Sequence, residues 1–236
     1  MKWDLRPARD LGLKPIDRLR SQGRETGLGS LAAQGVWRRM VRGYLAVAHR
    51  LVVEGRENLP PAPPYVLIGN HSSHLDALTL SSVLRGAAAR RGYALAAGDF
   101  FFSSGASSAF AAYAVNALPV WRRRTTRKEL NMLRDRLVED SLVYILFPEG
   151  TRSRDGAMAK FQPGLGTLVA GTSVPVVPCY LDGAHKAWPP EAKFPKPSPL
   201  VLRIGAPLHF ADQPNEKAGW AAIAEKSEAA VRALIR

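Results

Sequence analysis

Cysteine is nearly absent: Cys179 is the one thiol in 236 residues. That excludes an intrachain disulfide framework and a cysteine-built zinc site. It also suits a chain from a reducing compartment. Cys179 lies in the apolar run 174–181, which reads as a place for a buried, inert thiol. Long uncharged apolar runs are missing too. None reaches the ~18 residues that a bilayer-spanning helix needs. The nearest, 31–53, is interrupted by Arg38, Arg39, Arg42 and Arg50. The opening Met1-Lys2-Trp3-Asp4-Leu5-Arg6-Pro7 has no apolar core of a secretory signal. Acidic residues are outnumbered, 20 against 33 basic, for a net charge of +13. Such an excess asks for a phosphate-rich partner: nucleic acid, an anionic membrane or a phosphorylated substrate. Apolar residues are plentiful at 46%, too many for a disordered chain, so a core is expected. The length suits one α/β domain, alone or with an appended element.

Residues 1–30 are basic and broken by glycine and proline, and read as an arm with one short helix near 15–20. From Leu31 the pattern turns helical. Trp37, Val41, Tyr44, Ala48 and Leu51 recur on one face, which predicts a basic amphipathic helix ending near Val53. Two readings of it stay open: a helix packed on the core with a solvated charged face, or an interfacial membrane helix. After Pro60-Pro61-Ala62-Pro63-Pro64, short apolar runs alternate with helical patterns. The runs are 65–69, 93–98, 117–121, 142–147, 174–181 and 200–204, mostly without polar alternation, as strands covered on both faces should be. Thr126-Arg127-Lys128-Glu129 is a capping-box sequence, followed by Leu130, Leu133 and Leu137 on one helical face. Residues 188–199 read as a proline-rich surface loop and 215–236 as a closing amphipathic helix. The predicted class is α/β: a central, largely parallel or mixed sheet flanked by helices, with an N-terminal basic helical arm.

Four blocks could carry chemistry. Asn70-His71-Ser72-Ser73-His74-Leu75-Asp76 directly follows a predicted strand, where ligand sites in open α/β sheets lie. A histidine with an aspartate five residues on can form a base and its orienting carboxylate. It can equally be a structural turn histidine before a helix-start aspartate. Phe147-Pro148-Glu149-Gly150-Thr151-Arg152 follows a second strand. Gly150, Thr151 and Arg152 suit a phosphate, while Glu149 suits a polyol or the loop's own donors. A plain polar turn has the same composition. Asn116-Ala117-Leu118-Pro119-Val120-Trp121-Arg122 ends in a run of arginines, a phosphate contact or a solvated rim. Val174-Pro175-Val176-Val177-Pro178 is apolar and broken by two prolines, which suits an edge or bulged strand, and it could also wall an apolar acyl slot. There is no Gly-x-Ser-x-Gly elbow, no His-Glu-x-x-His helix and no dinucleotide or Walker fingerprint. No metal site is therefore expected. The basic patches lack the aromatic interleaving of a single-strand nucleic-acid binder.

Together and in this order the four blocks resemble those of the glycerolipid acyltransferase family. The likeness extends from about Gly55 to Phe210, and its most specific part is the first and third blocks as a pair. The second block departs: Asn116, Pro119 and Trp121 stand where the family has Gly, Phe and an acidic residue. The resemblance implies a roughly 59–236 catalytic domain behind a 1–58 basic arm and helix. It implies transfer of a fatty acyl group from acyl-CoA or acyl-carrier protein to the sn-2 hydroxyl of lysophosphatidic acid, giving phosphatidic acid. Another lysophospholipid or lipid alcohol is the alternative acceptor, and a non-catalytic basic binding module the alternative class. His71 then matches the catalytic base and Asp76 its partner. Ser73, Arg122, Glu149, Gly150, Thr151 and Arg152 match the acceptor side. Val174, Pro175 and Pro178 match the acyl-donor side. No cofactor is implied beyond the acyl donor as co-substrate. The expected partner is an anionic membrane surface on the cytoplasmic side, met peripherally through Trp37, Tyr44 and the arginines between them, with no nucleic acid. Phe100-Phe101-Phe102 is a second possible membrane contact or a core cluster.

Overall fold

The computed structural model describes residues 8–25, 27–97, 116–120 and 126–236. Trp121, Arg122 and Phe100-Phe101-Phe102 therefore lie outside the described residues. Among the described residues seven strands form one sheet: β1 (Val52–Glu54), β2 (Tyr65–Gly69), β3 (Gly92–Ala97), β4 (Leu118–Val120), β5 (Val143–Leu146), β6 (Val176–Asp182) and β7 (Val201–Ile204). Their order across the sheet is β1-β7-β6-β2-β5-β3-β4. All neighbours are parallel except β6 and β7. The helices are α1 (Pro15–Leu19), α2 (Leu28–Ala48), α3 (Asp76–Val83), α4 (Gly86–Arg90), α5 (Arg127–Glu139), α6 (Gly164–Val169), α7 (Ala184–Ala187) and α8 (Lys217–Arg232). This is the α/β class read from the alternation of runs.

Strand β2 shows why its run had no polar alternation. Tyr65 and Leu67 point into a core shared with Val41, Leu45, Leu80 and Val83 of α2 and α3. Val66 and Ile68 point into the opposite core, shared with Leu133, Leu137, Leu165 and Ile223 of α5, α6 and α8. Both faces are covered, so every position is apolar. The capping box at Thr126 forms as its sequence predicts, the Thr126 hydroxyl accepting from Glu129 N–H and the Glu129 carboxylate accepting from Thr126 N–H.

Two expectations are corrected. The basic helix ends at Ala48, not near Val53. His49 is fully buried there, Nδ1 donating to Ser198 O at 3.1 Å while Nε2 accepts from the Tyr44 hydroxyl at 3.0 Å. Arg50 takes a left-handed φ of 45°, and Val52, Val53 and Glu54 become β1 beside β7. The β-branched pair thus serves a strand, which joins the first segment to the common sheet. Second, the strand containing Pro178 is not an edge: β6 lies between β2 and β7. Val176 exchanges two hydrogen bonds with Leu208 on the β7 side, and Pro178 O accepts from Gly205 N–H on that side. The ring nitrogen of Pro178 therefore faces Gly205, just past the end of β7 at Ile204, so the bond it cannot donate is missing from that side and not from the pairing with β2. Of the two open readings of α2, Trp37 follows the core-packed one: it is half-buried against the core. Arg38 and Arg42 also turn inward. Arg38 donates to Ala89 O, and Arg42 donates to Ser82 O and Leu84 O, at the carbonyl ends of α4 and α3. The exposed stripe of α2 is instead Val36, Met40, Tyr44 and Val47. No helix among the described residues is long and apolar enough to cross a membrane.

Candidate active site

The parallel strands β2 and β5 end side by side, and the first and third blocks leave from those two ends. Asn70 comes first. Its side-chain amide donates to Leu181 O at 3.0 Å and its Oδ1 accepts from Leu181 N–H at 2.8 Å, so it extends the ladder to β6 by one rung. The backbone then turns, and Asp76 opens α3 with its carboxylate folded back over the turn. Asp76 Oδ2 accepts from Ser72 N–H and Ser73 N–H, each at 2.8 Å, and from His71 Nδ1 at 2.8 Å. Accepting at Oδ2 requires the proton on Nδ1, so Nε2 carries the lone pair. Asp76 is fully buried, whereas the His71 side chain keeps 19% of its surface exposed. A buried carboxylate behind a reachable imidazole is the arrangement of a general base with its orienting partner.

The third block is stitched to the first through backbone as well as side chains. Phe147, the residue after β5, lies flat on the His71 ring, with centroids 4.2 Å apart and an interplanar angle of 13°. Gly150 turns the chain at a left-handed φ of 78°, as its lack of a Cβ allows. Ser153 N–H donates to His71 O at 2.7 Å. Glu149 is buried, and both its oxygens are engaged: Oε1 accepts from His71 N–H at 2.6 Å and Oε2 from Ala159 N–H at 2.8 Å. Burial pushes the Glu149 carboxyl above its ordinary value, while the two backbone donors and the nearby His71 pull the other way. Of the two uses its sequence allows, the structure gives Glu149 the loop's own donors.

Arg152 reaches back to the first block, where its guanidinium donates to His74 Nδ1 at 2.8 Å. The same Arg152 nitrogen lies 3.0 Å from His74 Nε2, and Nε2 is 3.2 Å from Pro190 O, an acceptor, which favours the proton on Nε2 and leaves Nδ1 to receive the arginine. Burial first, then the Arg152 charge, hold His74 below the ordinary imidazole value. Burial also lowers Arg152, with Asp76 and Glu191 opposing. Ser73 is buried, its hydroxyl donating to Trp188 O at 2.8 Å and accepting from Leu75 N–H at 3.1 Å.

His71, Ser73, Asp76, Glu149, Gly150 and Arg152 are thus brought to one end of the sheet, with Thr151 exposed on the same turn. Val174 and Pro175 are not brought there. They precede β6 at the level of Val66, the other end of the parallel strands, and Pro178 is buried opposite Ile68. Cys179 is wholly buried, which pushes its thiol up to about 12. Asn116 has a φ of 51°, a conformation Asn adopts more readily than most residues. Its side chain donates to Gly92 O and accepts from Arg24 and Gln34. Sequence reasoning missed His74 and Phe147. The aromatic that closes the run 142–147 was a usable signal for Phe147, whereas nothing local marks His74 as the partner of an arginine 78 residues away.

A family model described as Acyltransferase matches residues 50–182, just over half of the chain. The human 1-acyl-sn-glycerol-3-phosphate acyltransferase alpha is 32% identical over 136 residues, 56% of this chain and 46% of its own. The 1-acyl-sn-glycerol-3-phosphate acyltransferase of Cocos nucifera is 35% identical over 81 residues, 34% of this chain and 26% of its own. The chain spans about half or less of the length of these two relatives. The crystal structure of the 1-acyl-sn-glycerophosphate acyltransferase PlsC from Thermotoga maritima has a similar fold, with a TM-score of 0.65 at 24% identity, over 85% of this chain and 77% of that one.

Proposed function

The chain belongs to the acyltransferase family, and from that premise we propose that it acylates the sn-2 hydroxyl of lysophosphatidic acid. The donor is the thioester of acyl-CoA or acyl-carrier protein, and the product is phosphatidic acid. The observation that carries the reading is the 2.8 Å His71 Nδ1–Asp76 Oδ2 bond, which leaves Nε2 as the proton acceptor on a partly exposed ring. Relatives named for this reaction support the acceptor.

His71 Nε2 takes the proton of the acceptor hydroxyl as that oxygen bonds to the thioester carbon. The carbon–sulfur bond of the tetrahedral intermediate then breaks, and the departing thiolate recovers the proton from His71. Asp76 balances the imidazolium between these steps. Phe147 fixes the ring plane from one face, and Glu149 ties the two loops so that the turn at Gly150–Arg152 stays beside the base. Arg152, steadied by His74, holds the acceptor phosphate together with Arg122, so positioning supplies part of the rate. The acyl donor is the only co-substrate in this scheme.

We further infer that the protein meets an anionic, cytoplasmic membrane face peripherally through the outer stripe of α2, Val36, Met40, Tyr44 and Val47, flanked by the exposed Arg39 and Arg50. The test is product analysis by mass spectrometry on vesicles holding lysophosphatidate or other lysophospholipids, with parent and His71→Ala proteins of equal folded content. Phosphatidate formation is expected, with the variant slower by about 10³-fold. Undiminished transfer by His71→Ala overturns the mechanism, and preference for another lysophospholipid overturns the acceptor.

A further inference from the structure

Two buried polar atoms on α3 have no hydrogen-bond partner among the described residues: Asp76 Oδ1 and Thr79 Oγ1. Both side chains are completely shielded from solvent. The load on the Asp76 carboxylate is lopsided, since three donors converge on Oδ2 and none on Oδ1. An ionised oxygen buried without a donor is costly, and so is a buried hydroxyl without an acceptor. The usual outlet for a helical hydroxyl is a carbonyl one turn back. Ser81 uses it, donating to Leu78 O at 2.9 Å, and Ser82 uses it, donating to Thr79 O at 2.7 Å. Thr79, between Asp76 and these serines, does not. Residues three apart in a helix share a face, with Cβ atoms about 5–6 Å from each other. That gap suits two short side chains joined by one buried water, or a direct bond after rotation about the Thr79 Cα–Cβ bond.

We propose that Thr79 is a positioning residue for the His71–Asp76 pair, its hydroxyl donating to Asp76 Oδ1 directly or through one buried water. This rests on the reading of His71 as the base. The donor on Oδ1 completes the carboxylate's shell and stops its rotation about Cβ–Cγ. Oδ2 then stays aligned with the Nδ1–H of His71, and Nε2 stays aimed at the acceptor. Thr79 touches no substrate and acts only through Asp76.

The experiment uses Thr79→Val, which keeps the shape and removes the hydroxyl, and Thr79→Ser, which keeps the hydroxyl and trims the shape. Kinetics on lysophosphatidate vesicles and the proton NMR resonance of His71 Nδ1–H are read for each. For T79V, kcat is expected to fall about tenfold, the factor that one lost hydrogen bond corresponds to, with KM unchanged. Its Nδ1–H resonance should move upfield or vanish through faster exchange. T79S is expected to restore both. Parent behaviour in T79V overturns the proposal, and so does a T79S defect equal to that of T79V. A crystal structure of the parent needs no variant to fold: a water or the Thr79 hydroxyl within hydrogen-bond reach of Oδ1 is expected, and an Oδ1 without a donor overturns the proposal. If the parent transfers no acyl group, the proposed function fails on its own, while the resonance and the crystal structure still decide the role of Thr79.

Discussion

The loops that leave β2 and β5 and the helix α2 are both built from polar and basic residues, yet they spend them differently. Around His71 the polar groups bond mainly to one another and to the two loops: Asp76 to His71, Glu149 to the His71 backbone, Arg152 to His74. Along α2 two arginines bond to carbonyl oxygens at the ends of neighbouring helices, Arg38 to Ala89 and Arg42 to Ser82 and Leu84. Arg24 and Arg136 donate to carbonyl oxygens of non-helical segments, Ala117 O and Gln22 O. The first region ties a partly exposed imidazole to a buried carboxylate. The second uses fixed cations as helix caps and struts. A net charge of +13 is therefore not a measure of free surface charge, because part of it neutralises backbone dipoles inside the fold.

The sharpest test of this contrast is Asp76→Asn. An amide oxygen still accepts from the Ser72 and Ser73 N–H groups, but it no longer balances an imidazolium. We expect kcat to fall by roughly 10³ with the fold kept, read by kinetics beside circular dichroism. Arg42→Leu should do the opposite. Losing two charge-assisted bonds to carbonyls is expected to cost about 2 kcal/mol of stability in denaturant titration, with kcat within about twofold of the parent. A large kcat loss at unchanged stability would erase the division between the regions. The outer face of α2 comes next. Met40→Glu with Val47→Glu is expected to weaken binding to anionic vesicles by about tenfold in flotation assays, as two apolar side chains lose their burial. Binding that is unchanged would remove α2 from the membrane contact.

The smallest effect is a pH dependence. His74 has its folded value depressed below the ordinary 6.5, by burial and by Arg152. The folded state therefore binds fewer protons than the unfolded one between those values. The contribution of His74 is present above about 6.5 and is lost as the pH falls through the depressed value. Below it, a charged His74 opposes Arg152. The KM for lysophosphatidate is expected to rise several-fold on acidification in the parent. His74→Gln, which keeps an acceptor without titrating, should flatten that rise. An equal rise in both proteins would detach His74 from Arg152.

Much of the fold was legible because its cause is local. The run 65–69 is β2 to the residue, since every position of a strand covered on both faces must be apolar. The start of α5 was legible at Thr126 because a capping box is a contact between near neighbours. The end of α2 was not, since a turn at Arg50 competes with a continuing apolar periodicity and wins only because β7 is there to pair with β1. The site divides in the same way. His71 and Asp76 lie five residues apart and could be read as a pair, whereas the contact of Arg152 with His74, 78 residues away, could not.

The sequence by itself determined the class of fold, the two loops that form the candidate site and the candidate base with its carboxylate. These follow from periodicity and from residues close enough in the chain to meet through one turn. Tertiary structure alone decided the strand order, the antiparallel β7, the use of Glu149 as a tie between loops and the pairing of Arg152 with His74. It also decided which arginines face inward. A long cationic side chain can reach many carbonyls, and which one it meets is set by the packing of helices far apart in sequence rather than by anything written beside it.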